Sequence, residues 1–178
     1  IRSKIVIANA TARTIFTKLL DTETLPEEFN RDIRNIRCES TVFRVNLALS
    51  SLPEAPVFGQ TNPEGGVVPQ MTIAPNLGYM ERAWHQAQGG DMADEPFLIV
   101  KVPSMVDPTL APAGHHIMNI FGGHAPYTLA KGDWDQRREE LWGRVLAVLK
   151  TQFPDIGSKI LHRQILTPLD MERIFDLP

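Results

Sequence analysis

The chain has 178 residues, 43% of them apolar and 22% charged, enough to bury one sizeable core. Its formal charge of −3 supplies no strong positive field, so nucleic acid is not expected as a partner. The single cysteine, Cys38, excludes an internal disulfide framework and a cysteine-rich metal site and suits a reducing, cytoplasmic compartment, while no apolar run approaches the length of a membrane span.

The chain opens on IRSKIVIANA, without an initiator Met or a signal peptide, and stops on MERIFDLP part-way through a helical pattern. It reads as a piece of a longer protein. Ser3 to Ala8 predicts a short strand, and Asn9 a cap for a short helix over ATARTIFTKL. Pro26, Glu27 and Glu28 suit a first helical turn. Phe29, Ile33 and Ile36 then repeat at helical spacing, with Arg31, Arg34 and Arg37 on a solvated face.

Thr41 to Leu49 alternates, with Phe43, Val45, Leu47 and Leu49 on one side and Val42, Arg44, Asn46 and Ala48 on the other. That is a strand with one buried face. SSLPEAPVFGQTNPEGGVVPQ predicts a long irregular surface loop, either a lid or an inert insertion. A short strand follows at MTIAP. NLGYMERAWHQAQGG predicts a helix with Leu77, Met80 and Trp84 on one face, ended by Gly89 and Gly90.

Phe97 to Pro103 and His115 to Phe121 predict strands around the loop SMVDPTLAPAG, in which Asp107 suits a turn or cap. Asp133 to Phe153 predicts the longest helix, with a stripe of Leu141, Val145 and Leu149. Pro154 ends it, Ser158 to Leu166 predicts the last strand, and Thr167 or Asp170 starts a further helix. From Met71 the order is strand, helix, strand, strand, helix, strand, a split βαβ pattern. The expected fold is α+β: a mixed, mainly antiparallel sheet of about five or six strands with helices packed on one face.

HHIMNIFGGHAPY holds three of the five histidines. Neighbours in a strand point to opposite faces, so His115 and His116 do not converge on one ion. No HExxH motif, cysteine partner or acid pair completes a zinc set, and no metal site is expected. The segment reads either as a buried strand leaving a loop or as a cavity wall formed by Asn119, Phe121, His124 and Tyr127. Gly122 and Gly123 permit close backbone approach or a bulge there.

His162 and Gln164 share a face of the last strand with Ile160 and Leu166, opposite Leu161, Arg163 and Ile165. That face either lines a pocket or is solvated. No catalytic residue is identified: GxSxG is absent, Cys38 has no His–Asn context, and the glycine pairs at 65, 89 and 122 lack GxGxxG spacing.

Several segments together carry a resemblance: KIVIANATARTIF, TVFRVNLALSSLP, NLGYMERAWHQAQGG, VPSMVDPTLAPAGHHIMNIF, KGDWDQRREE and ILHRQILTPLDMERIF. The chain resembles the middle portion of flavin-dependent oxidoreductases of the phytoene desaturase and amine oxidase type, nearest their pyridine nucleotide-disulphide oxidoreductase-domain branch. The resemblance implies a substrate lobe inserted into an FAD-binding lobe. Residues 1–40 would border the FAD lobe, 41–166 would form the substrate sheet, and 167–178 would start the helix returning to the FAD lobe.

It also implies hydride loss from a C–C or C–N bond to flavin, with Asn9 passing near the cofactor. FAD would belong to the full-length protein and no cofactor to this piece. The implied partners are the FAD-binding lobe of the same polypeptide and an apolar small-molecule substrate. Self-association through the exposed interdomain surface is also implied. Two other readings stand beside it: a non-enzymatic interaction module, and a stand-alone domain for a small apolar ligand.

Overall fold

The computed structural model describes residues 3–37, 42–60 and 65–177. The chain divides into two compact units, residues 1–39 with 171–178, and residues 40–170. Cys38 lies outside the described residues.

In the smaller unit, a short turn α1 (Ala12–Thr14) runs into a π-helical turn, Ile15–Leu19, and α2 (Glu27–Asn35) follows. The predicted strand at Ser3 to Ala8 does not form. Ile5, Val6 and Ile7 are all exposed, Ile7 at 95%, and a strand persists only where another pairs with its backbone groups. Asn9 does not cap the helix. Thr11 does, its side chain accepting the Thr14 amide at 3.2 Å. On α2 only Ile33 of the expected stripe is buried; Phe29 meets the edge of Phe16 at 4.9 Å and Ile36 is exposed. In the same unit Asp176 pairs with Lys18 at 2.6 Å and accepts from the Thr14 hydroxyl at 3.1 Å.

The larger unit contains β1 (Val42–Leu49), β2 (Gln70–Ile73), α3 (Leu77–Gln88), β3 (Phe97–Lys101) and β4 (His116–Gly123), then α4 (Trp134–Gln152), α5 (Ile156–Lys159) and β5 (Ile160–Leu166). Helix α6 (Pro168–Phe175) begins in this unit, and the boundary between units falls inside it. The five strands form one sheet in the order β2-β3-β4-β1-β5, antiparallel at each pairing. The expected α+β architecture is therefore present. Strands β4 and β5 flank β1 and are joined by α4, which is the split crossover; β2 and β3, joined by α3, pair directly.

One sheet face is a continuous core. Phe43, Val45, Leu47 and Leu49 of β1, Leu98 and Val100 of β3, and Met118 and Ile120 of β4 are all at most 1% exposed. They pack in one cluster with Leu141, Val145 and Leu149 of α4. Each such side chain contributes roughly 1.5–3 kcal/mol by leaving water. Gly122 sits opposite Phe43 in the register, and a Cβ there would lie 2.1 Å from the Phe43 ring. The glycine thus makes room for that ring, and the β1 register opposite it is unbroken, with no bulge.

Three expectations are corrected here. Helix α3 buries Tyr79, Ala83 and Ala87, while Leu77 and Trp84 are exposed. Two alanines let the helix approach closely, and the Tyr79 hydroxyl finds the Pro96 carbonyl at 3.0 Å. Burial, with the Glu95 charge adding to it, pushes the Tyr79 pKa up to about 12. The segment after β1 is not a plain surface loop. Leu52, Ala55, Val57 and Phe58 pack against the core, and Phe58 stacks on Phe153 at 5.3 Å. Lastly, a register shift between Ala48 and Leu49 sets Ile160 opposite the buried Leu49, so Ile160 leaves the face of His162 and packs on the core.

Arginines on α4 anchor the neighbouring loops. Arg144 reaches the Met92 carbonyl and Asp94, and Arg137 reaches Asp91 at 2.8 Å and Glu140 at 2.7 Å. Hydrogen bonds from Arg137 hold the Glu140 pKa down at about 2. Arg138 forks onto Asp170, which also accepts from the Thr167 amide at 2.9 Å and hydroxyl at 2.8 Å. The Asp170 amide in turn donates to the Thr167 hydroxyl at 3.3 Å, so Thr167 and Asp170 form a capping box at the start of α6. Burial opposes ionisation of Asp170, but the bonds from Arg138 and Thr167 prevail and hold its pKa below the usual carboxylate range.

Candidate functional site

The second sheet face carries no continuous core. Its residues fall into cross-strand rows set by the register. One row is Thr72, Ile99, Phe121, Arg44 and Leu166. The next is wholly polar and crosses all five strands: Gln70, Lys101, Asn119, Asn46 and Gln164. Arg44, Lys101, His162 and Gln164 are exposed, and Asn119 and Phe121 half-buried. Among the described residues no Asp or Glu occurs at a strand position on this face.

The middle of the polar row is held by its own amides. Asn119 Nδ2 donates to Asn46 Oδ1 at 2.8 Å, and Asn46 Nδ2 donates to Gln164 Oε1 at 2.9 Å. The direction of this chain follows from assigning the amides to satisfy one another. Three carboxamides on adjacent strands are thereby locked in orientation. Beside them Arg44, Ile99, Lys101, Asn119, Ile120 and Phe121 line a depression of about 120 Å³. That is room for a few waters or one small polar group, well short of the roughly 300–1,000 Å³ that encloses a whole organic ligand.

Four of the six candidate pocket residues, Asn119, Phe121, His162 and Gln164, lie on this one face. His124 sits at its end, its ring edge-on to Trp84 at 5.1 Å and Phe97 at 5.3 Å. Burial there pushes its pKa below the ordinary 6.5. Tyr127 lies in the connection to α4, where its carbonyl accepts from the Trp134 indole at 3.1 Å. The two cations beside the depression were not among the sequence candidates. Arg44 was legible from the alternation of β1; Lys101 required the strand order.

A second polar pair sits at the other end of β4. Ser104, 5% exposed, lies 3.0 Å from His116 Nδ1 and accepts the Ile117 amide at 3.1 Å. Burial, and to a lesser degree the nearby His115, lowers the His116 pKa. Among the described residues no acid is bonded to this imidazole, and by also accepting the Ile117 amide the serine fastens the loop after β3 to β4. Arg163 is paired with Glu139 at 2.6 Å and lies over Trp142 at 5.1 Å. Among the described residues no group of three His, Cys, Asp or Glu can hold a metal ion, and no helix is long and apolar enough to cross a membrane.

The described residues do not fit FAD by themselves. A Rossmann-type dinucleotide site uses a glycine-rich turn from a parallel strand into a helix N-terminus. Among the described residues every strand pairing is antiparallel, and the sequence has no GxGxxG.

No protein-family model matches the chain. Among curated proteins it is 33% identical over 186 residues to pyridine nucleotide-disulfide oxidoreductase domain-containing protein 2 of Rattus norvegicus. The match covers all of this chain and 32% of the relative, and the Mus musculus protein of the same name matches equally. The chloroplastic prolycopene isomerase of Arabidopsis thaliana is 25% identical over 172 residues, covering 93% of this chain and 25% of that protein. The chain thus spans about a third of the length of the first relatives and a quarter of the isomerase. It is similar to a segment of these oxidoreductase-domain proteins and, more distantly, of the isomerase.

Proposed function

We propose that the chain is the substrate-binding portion of an FAD-dependent oxidoreductase, with the open sheet face as one wall of the substrate cavity. The observation that carries this is the pairing of a full-length match to about a third of an oxidoreductase-domain protein with a sheet that leaves one ordered, acid-free face uncovered. When bound in the longer polypeptide, FAD would accept a hydride from a C–C or C–N bond of the substrate. This chain's residues bind and orient: Phe121 and Ile99 offer apolar contact, the Asn119–Asn46–Gln164 amides fixed polar contact, and His124 with Trp84 and Phe97 an aromatic end wall. Asn9 near the flavin and self-association through the surface that meets the FAD-binding lobe belong to the same reading.

The depression on this face is too small to enclose an apolar ligand by itself. The deciding experiment is purification of the polypeptide encoded by the whole gene. It is expected to carry flavin absorbance, and residues 1–178 expressed alone to be colourless. A gene that encodes only these residues, or a full-length protein that neither retains nor rebinds FAD, overturns the reading.

A further inference from the structure

The open face contains two cations that the fold does not use. Arg44 and Lys101 both line the depression, and neither takes part in an ion pair among the described residues. By contrast, Arg137, Arg138 and Arg144 of α4 and Arg163 of β5 each hold a carboxylate within 3.1 Å. Arg44 and Lys101 approach from strands on either side of β4, with the locked Asn119 amide between them. Next to this polar corner, Ile99 and Phe121 continue the surface as apolar ground, leading towards Phe97 and His124.

We infer that this corner binds the anionic head of an amphiphilic ligand. A single carboxylate or phosphate sits between Arg44 and Lys101 against the Asn119 amide, and its apolar body lies along Ile99 and Phe121. The inference rests on the substrate-cavity reading and names the substrate class. Three features support it. The depression of about 120 Å³ suits a head group and not a body. Among the described residues the face has no acid at any strand position to neutralise the cations internally. And guanidinium and ammonium groups differ from amides in binding anions by charge-assisted bonds, roughly twice as strong as neutral ones. A wholly hydrocarbon substrate would leave both cations facing apolar chain, which is costly once water is excluded.

The test uses the full-length protein and three probes of one chain length: dodecanoate, dodecyl phosphate and dodecanol. Binding is followed by calorimetry, and flavin absorbance is recorded on the same sample. One or both anionic probes are expected to bind about tenfold or more tighter than the alcohol, and the better of the two identifies the head. Arg44→Gln with Lys101→Gln is expected to erase that preference while leaving dodecanol affinity unchanged. Arg44→Lys should retain most of it, and Arg34→Gln, on α2, should retain all of it. Thermal melts confirm that the variants are folded. Equal affinity for anion and alcohol, or a preference that survives the double substitution, overturns the inference. If flavin is present without the preference, the anion site falls and the oxidoreductase reading stands. If the preference is present in a protein that cannot bind flavin, the reverse holds.

Discussion

The two faces of the sheet share five strands and the same four hydrogen-bonded ladders, yet differ in what holds them. On the covered face, side chains from β1, β3 and β4 interlock with α4, and several reach zero exposure. On the open face, order comes from amide-to-amide bonds along one row, beside cations with no ion-pair partner among the described residues. The first arrangement is made by excluding water and tolerates little change in volume. The second is exposed at Arg44, Lys101, His162 and Gln164 and is expected to contribute little to stability.

Truncation on the covered face sharpens this contrast most. Leu98→Ala, at a position with no exposure, is expected to cost about 2–5 kcal/mol in denaturant unfolding. A loss below about 1 kcal/mol would mean that the core at β3 is looser than its burial implies.

Gly122→Val probes the close approach between β4 and Phe43. Overpacking there should cost about 1–3 kcal/mol. In combination with Phe43→Ala the two losses should fall short of additivity, because the smaller side chain vacates the space the valine needs. Strict additivity in the cycle would break the pairing.

The covered face also ends in a pH-sensitive contact. Burial, with the nearby His115 adding to it, holds the folded His116 pKa below the ordinary 6.5. Between the folded value and 6.5 the unfolded chain binds more protons, so stability falls as the pH drops through that window. His124 adds a loss of the same sign. His116→Gln should flatten the slope of melting temperature against pH just below 6.5, and should leave intact the steeper acid loss at lower pH, where Asp170 and Glu140 protonate. An unchanged slope would remove His116 from this account.

The smallest effect is expected on the open face. Arg44→Gln should change stability by no more than about 0.5 kcal/mol in either direction. Asn46→Ala, which removes the centre of the amide row, should cost about 1 kcal/mol or less. A loss comparable with that of Leu98→Ala would show that the open face supports the fold after all.

The parts of the fold that were legible are those where a local pattern and the tertiary environment agree. The alternation of Phe43, Val45, Leu47 and Leu49, the stripe of α4, the glycines ending α3 and the start of α6 at Thr167 all recur in the structure. Ile5 to Ile7 read as a strand but pair with nothing among the described residues. In α3 the bulky Leu77 and Trp84 drew the stripe to the wrong side, because close packing favoured Ala83 and Ala87. Asn119, Phe121, His162 and Gln164 were picked singly, for their position on strands.

By itself, the sequence determined which faces of β1 and α4 go inside, because those periods depend only on backbone geometry and the transfer of side chains out of water. It also limited the chemistry, since no nucleophile motif, metal set or dinucleotide loop is encoded in it. Strand order was decided only in three dimensions. Placing β4 between β3 and β1 brings Lys101, Asn119 and Arg44 around one depression, and the slip at Ala48 turns Ile160 away from His162. Pairing between distant strands depends on the whole sheet packing at once, and no local stretch of residues carries that information.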